Sequence, residues 1–279
     1  MTKQQQTEHN MLMDFIEHDC KVDINEKIDY PPVALSYGEK LLKSESGDKL
    51  VPIALGTYGN LSVVTAPPKT MKTFFISLLA SVYLSGSNIY GGNLKGHKGN
   101  GHLLHIDTEQ GLWHCQKVFK RPLTMDSSIN TNNYHTFGLR SIDHKMRIDF
   151  IDYYLENKID KPSLIIIDGI ADLCSDANAI VESNALVQKL MEWSAKYKCH
   201  IINVIHQNYG SQKLGTGHLG SFLEKKAETV IALEANTVNK DWVTVKCGRS
   251  RGYSFDTFSF EVNDVGLPQI VNNIYDPLA

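Results

Sequence analysis

From Leu50 to Val262 short apolar runs alternate with amphipathic stretches, the pattern of a mostly parallel sheet covered by helices on both faces. Strands are expected at Asn60–Thr65, His102–Ile106, Tyr134–Leu139, Ser163–Asp168 and Cys199–His206. The run SLIIID at Ser163–Asp168 is the most apolar of these, which places it centrally, where both faces are covered. Helices fall between them. Lys72–Leu84 is apolar nearly all round and hence buried, Gly111–Lys120 and Asp143–Asn157 follow, and Ala179–Lys196 is amphipathic. The segment Ser85–Gly101, with six glycines, reads as a mobile surface loop. Beyond His206 the texture changes: GSQKLGTGHLGS reads as a flexible loop, and Glu228–Glu234, Asp241–Gly248 and Tyr253–Val262 are strands at hairpin-like spacing. The fold class expected is α/β, an αβα sandwich with a mostly parallel central sheet and antiparallel strands at its C-terminal side.

The first 49 residues differ. A polar start leads to MLMDFIEHDC, a short helical pattern, then to DYPPVALSYGEKLL and the turn-rich KSESGDK. They read as an N-terminal arm or partner-docking extension, residues 1–49, ahead of a core at 50–279.

Composition narrows the class. Of 279 residues 42% are hydrophobic and 21% charged, a folded globular balance, and 28 basic against 31 acidic side chains leave a net charge of −3. No global basic field draws a polyanion, so any such partner must be held by a local cluster. No apolar run approaches the roughly 20 residues that span a bilayer, and MTKQQQTEHN has no apolar signal core, so a cytoplasmic protein with no membrane partner is expected. Five cysteines form no Cys-x-x-Cys pair, which argues against a disulfide framework and a zinc site.

The chemistry begins between the first core strand and the apolar helix. Ala66-Pro67-Pro68-Lys69-Thr70-Met71-Lys72-Thr73 matches the spacing, lysine and hydroxyl of the phosphate-binding loop G-x-x-x-x-G-K-[ST], with Ala66 and Met71 in place of its glycines. Backbone N–H groups at the helix start would hold phosphates, Lys72 would neutralise them, and the Thr73 hydroxyl would ligate Mg2+. About a hundred residues on, Asp168 ends an apolar strand, the second half of such a site, where a carboxylate holds the metal. The two together point to a nucleoside triphosphate with Mg2+.

Gly169 stands where many such proteins carry a glutamate, but Leu103-Leu-His-Ile-Asp-Thr-Glu-Gln-Gly111 offers Glu109 just past another strand end. Here the chain resembles the RecA-like ATPases, and within them the ring-forming replicative helicases of the RepA and DnaB type, over approximately Leu50 to Val262. The resemblance implies a RecA-like core binding ATP and Mg2+, with Glu109 activating the attacking water. The alternative is that Asp107 and Glu109 only cap the next helix. His206, at the tip of IINVIH, would be the γ-phosphate sensor, with Gln207 its possible substitute; a solvated strand-end histidine is the plainer reading. Tyr209 to Gly217, with no acid, one lysine, one tyrosine and three glycines, suits contact with single-stranded DNA, and equally any surface loop.

In Val245-Lys-Cys-Gly-Arg-Ser-Arg251, Arg249 and Arg251, with Lys246 third, match the place where the family carries cations that reach a neighbouring subunit's ATP site. Their spacing of two predicts one face of a strand; a cationic edge that discourages strand pairing is the competing view. The resemblance thus implies a ring, hexameric as in RepA and DnaB, acting on single-stranded DNA in replication of a plasmid, phage or other mobile element, with a primase or initiator protein as partner. A nucleotide switch or scaffold with decayed hydrolysis and a filament-forming recombinase are the alternatives.

Overall fold

The computed structural model describes residues 2–43, 47–207, 215 and 217–271. The chain divides into two compact units, Met1–Pro31 and Pro32–Ala279. The first contains helix α1 (Lys3–Cys20), started by a capping box in which the Thr2 hydroxyl accepts from the Gln5 backbone N–H and the Gln5 side chain accepts from Thr2. The boundary at 31/32 leaves residues 33–49, expected as part of the arm, in the larger unit. There β1 (Val33–Leu42) pairs antiparallel with β2 (Lys49–Thr57) and buries Ala34 and Leu35 in the core.

The core strands and helices follow in order: β3 (Leu61–Ala66), α2 (Lys72–Ser85), β4 (Leu94–Gly96), β5 (His102–Asp107), α3 (Leu112–Met125), β6 (Tyr134–Gly138), α4 (His144–Asn157), β7 (Pro162–Asp168), α5 (Ile180–Lys196) and β8 (His200–His206). Then come α6 (Gly217–Lys226), β9 (Thr229–Ala235), β10 (Trp242–Ser250), β11 (Phe258–Val262) and β12 (Pro268–Val271). One sheet runs β12-β11-β10-β9-β3-β8-β7-β5-β6. The six strands from β9 to β6 are parallel and the turn back through β10, β11 and β12 is antiparallel. Each face carries a core cluster. Phe75, Leu79 and Tyr83 of α2 fill one, where Phe75 stacks on Phe260 at 5.6 Å, and Leu186, Leu190 and Trp193 of α5 fill the other. This is the α/β layering the apolar pattern predicts. Every residue of β3 and all but Ser163 of β7 is buried, as parallel strands covered on both faces must be.

Three expectations fail locally. The glycine-rich segment 85–101 is not all surface loop: β4 lies in it, pairs with β1, and carries the fully buried Leu94. Helix α3 runs on past Lys120 to Met125 with Pro122 inside it. And part of the expected loop after His206 is helix α6, held by buried Leu219 and Leu223. Most of Tyr209–Gly217, the expected DNA-contacting loop, lies outside the described residues. Among the described residues no helix is long and apolar enough to cross a membrane.

Candidate functional site

The sheet order decides what meets what. β8 lies between β3 and β7, with Ala66 opposite His206 and Asp168 opposite Val204, and β5 lies on the far side of β7, with Asp107 opposite Asp168. Parallel strands end at one edge, so the loops after β3, β8, β7 and β5 open onto a common crevice.

The loop from Ala66 to Thr73 reverses the chain into α2. Met71 is the residue before the helix, with φ 56° and ψ 29°, and Lys69 has φ 66°. Both side-chain-bearing residues occupy the left-handed region where glycine is at ease, at a cost of about 1–2 kcal/mol each. Met71 thus adopts a conformation its glycine counterpart would take freely, and its partly buried side chain packs against the core. The Thr70 hydroxyl donates to the Pro67 carbonyl across the turn. The Gln207 amide N–H donates to the Ala66 carbonyl at 2.9 Å and its side-chain amide to Thr65 Oγ1 at 3.2 Å, tying the loop to β8.

Lys72, the first residue of α2, is buried, and its Nζ lies 2.9 Å from His206 Nδ1. His206 Nε2 in turn lies 3.4 Å from Glu109 Oε1. Burial lowers the Lys72 pKa, while Glu109 and Asp168 oppose that fall. Glu109 is lowered, first by its hydrogen bond from His206, so at neutral pH it is a carboxylate.

The helix-cap alternative for Glu109 does not describe this geometry. Gly111 precedes α3 without any side-chain cap bond. Asp107 shapes the turn instead: its Oδ1 accepts from the Glu109 and Gln110 amides at 2.9 and 2.8 Å, and its Oδ2 from Gln110 Nε2 at 2.8 Å. That turn aims Glu109 over Gly169. A Cβ at Gly169 would lie 2.3 Å from Thr108 Oγ1 and 2.7 Å from Glu109 Cγ, and its φ is +94°. The position after Asp168 is glycine because the neighbouring strand's glutamate occupies the space. Thr108 locks the two turns together, its hydroxyl 2.8 Å from the Gly169 carbonyl and 3.0 Å from Asp172 Oδ2. No feature of the sequence pattern singles out Thr108 or Gln110.

Asp168 is almost wholly buried; Thr73 hydrogen-bonds it and its Oδ2 has no partner. Burial, then Asp107 and Glu109, push its pKa up to about 7. An orphaned carboxylate oxygen, an adjacent hydroxyl and an excess of negative charge make a donor set that fits a small, hard divalent cation.

Arg249 and Arg251 are not brought to this crevice by their own chain. A bulge shifts the β9–β10 register between Cys247 and Arg249, ahead of both arginines, and the strand ends at Ser250, with the Arg251 amide still donating to the Glu228 carbonyl at 2.9 Å. Arg251 lies past the strand and donates from Nη2 to the Lys226 carbonyl at 3.0 Å; Lys246 pairs with Glu234 at 3.0 Å. Both arginines are exposed.

No curated protein matches the chain by sequence. Many solved chains, 609 of them, share the fold, so the fold by itself selects no function. One is the crystal structure of the RadB recombinase, at a TM-score of 0.53 and 16% identity over 77% of this chain and 92% of that one. A family model described as an AAA domain matches residues 48–212, which contain Lys72, Glu109, Asp168 and His206. With this site on this fold, the chain belongs to that AAA domain family, AAA_25, and is a RecA-like P-loop ATPase.

Proposed function

We propose that the chain binds and hydrolyses ATP at the Lys72–Asp168 crevice and works as a ring-forming motor on single-stranded DNA. The observation that carries the reading is His206 wedged between Lys72 and Glu109, 2.9 and 3.4 Å away. A side chain touching both the phosphate-neutralising lysine and the carboxylate that orients water can register whether a γ-phosphate is present. Backbone N–H groups from Ala66, Pro67, Pro68, Lys69, Thr70 and Met71 onward, prolines excepted, would cradle the phosphates, and Lys72 would exchange its contact with His206 for one with their oxygens. Glu109, ionised at neutral pH, would hold the attacking water. Thr73 and Asp168 would hold Mg2+, which when bound neutralises charge on the β- and γ-oxygens.

Arg249 and Arg251 stand off their own site, and each would complete a neighbouring subunit's, which is why an assembly, hexameric by the family resemblance, is part of the proposal. Work on DNA in replication of a mobile element, with a primase or initiator as partner, extends the same resemblance. A switch with decayed hydrolysis is disfavoured by Met71, which holds a left-handed backbone at an energetic cost. The recombinase reading shares the core, as the likeness to RadB illustrates.

The experiment is the ATP turnover of the full chain with and without single-stranded DNA, beside its mass in solution. Turnover stimulated by DNA in a closed, fixed-size assembly supports the ring motor. Open-ended assemblies on DNA favour the recombinase, and ATP binding without turnover favours the switch.

A further inference from the structure

The strands that end at the ATP crevice begin at the opposite edge of the sheet, and a second cavity of about 310 Å³ opens there. A seven-residue strand such as β7, rising about 3.3 Å per residue, sets the two sites roughly 20 Å apart. Its lining includes Lys98, Lys161, Lys198, His97, Tyr58 and Tyr197, and contains no acid. None of the three lysines forms a salt bridge among the described residues, and Lys98 Nζ reaches only the Gly99 carbonyl at 3.4 Å. In a chain of net charge −3 this is a local reversal of sign.

The backbone at the rim is strained. Four described residues other than glycine have positive φ, and two are Lys161 (47°) and Lys198 (49°); the other two, Lys69 and Met71, belong to the phosphate loop. Lys198 directly follows the C-cap of α5, a position that glycine usually fills. Strained backbone at side-chain-bearing residues clusters at ligand-binding sites. The floor is braced: Tyr58 donates to the His97 carbonyl at 2.7 Å, and the Tyr58, Tyr83 and Ser163 hydroxyls form a chain with steps of 3.0 and 2.6 Å. Gly101 permits that closeness, since a Cβ there would stand 2.0 Å from Ser163 Oγ.

We infer that this cavity binds the phosphodiester backbone of a single-stranded nucleic acid, its lysines taking the phosphates and Tyr58 or Tyr197 offering a ring to a base. Thus the chain has a second polyanion contact, away from the ATP crevice. The inference shares no residue with the ATPase reading, so either can fail alone.

The test is fluorescence anisotropy of a labelled oligothymidine with the full chain, its K98Q/K161Q/K198Q variant and a charge-matched K145Q/K225Q/K226Q control, with thermal melting and ATP affinity as checks on folding. The cavity variant should bind at least tenfold more weakly. Its dependence of log affinity on log salt should be shallower by about 2, from roughly 0.7 per phosphate contact on a single strand. If the triple variant melts early, the three single substitutions replace it, each expected to lower the slope. Coincident titrations, an equal loss in the control, or displacement of the oligonucleotide by poly-glutamate or inorganic triphosphate at lower concentration than by unlabelled oligothymidine would overturn the inference.

Discussion

His206 Nε2 lies 3.4 Å from Glu109 Oε1, although their strands, β8 and β5, are not neighbours: β7 runs between them. The contact exists because Asp107 folds the chain back immediately after β5 and because Gly169, after β7, leaves the intervening strand without a side chain at that level. The catalytic assignment of Glu109 rests on this arrangement.

Gly169→Ala should displace Glu109 without touching the phosphate loop. The added methyl meets Thr108 Oγ1 and Glu109 Cγ, and a φ of +94° is strained for alanine. We expect kcat to fall at least tenfold while the ATP dissociation constant stays within about threefold, measured by steady-state turnover and equilibrium titration. A change confined to binding would place Glu109 outside the chemistry.

Met71 separates backbone from side chain. Met71→Gly should keep ATP affinity, since glycine adopts the left-handed conformation freely, whereas the β-branched Met71→Val should lose about 1–2 kcal/mol of stability and bind nucleotide more weakly. Chemical denaturation and ATP titration of both variants check this, and equal behaviour of the two would mean that the loop backbone is not what sets affinity.

Asp168 gives a pH dependence of definite sign. Its folded pKa, pushed up to about 7, exceeds the ordinary value near 3.9, so across that interval the folded state binds more protons than the unfolded state and stability falls as pH rises. Asp107 is raised too and acts in the same sense, while Glu109, lowered, acts oppositely at acid pH. Asp168→Asn isolates the term. Without Mg2+ the variant should be more stable than the parent at pH 8, on the order of a few kcal/mol, with the difference gone near pH 4. Parallel stability curves from urea denaturation would show that Asp168 carries no such burden.

Arg249 and Arg251 bear on assembly. A subunit carrying R249A and R251A, mixed with a K72A subunit, should recover part of the turnover that neither has alone, because a Lys72-bearing site whose neighbour is the arginine-bearing K72A subunit has both parts. Absence of recovery at every mixing ratio, with mixed assemblies demonstrated, would remove the arginines from the neighbour's site.

Much of this is legible in the sequence. Apolar runs bounded by turn residues marked the parallel strands, because strands buried on both faces admit few polar residues. The drifted loop showed Ala66 and Met71, but not that Met71 would keep the left-handed backbone, which depends on packing of its side chain. β4 and α6 were hidden by glycines: Leu94 and Leu219 hold them from outside, through contacts distant in sequence. Helix α3 continues past Lys120 to Met125 with Pro122 buried inside it. The strand order that sets His206 between Lys72 and Glu109 is a matter of crossovers, and no local pattern encodes it.

The central claim, that this crevice hydrolyses ATP with Glu109 orienting water, is met most directly by Glu109→Gln. Measured together with Mg2+ present, ATP affinity should remain near that of the parent while turnover falls by two orders of magnitude or more. Turnover equal to the parent's, from a folded variant, would contradict the account.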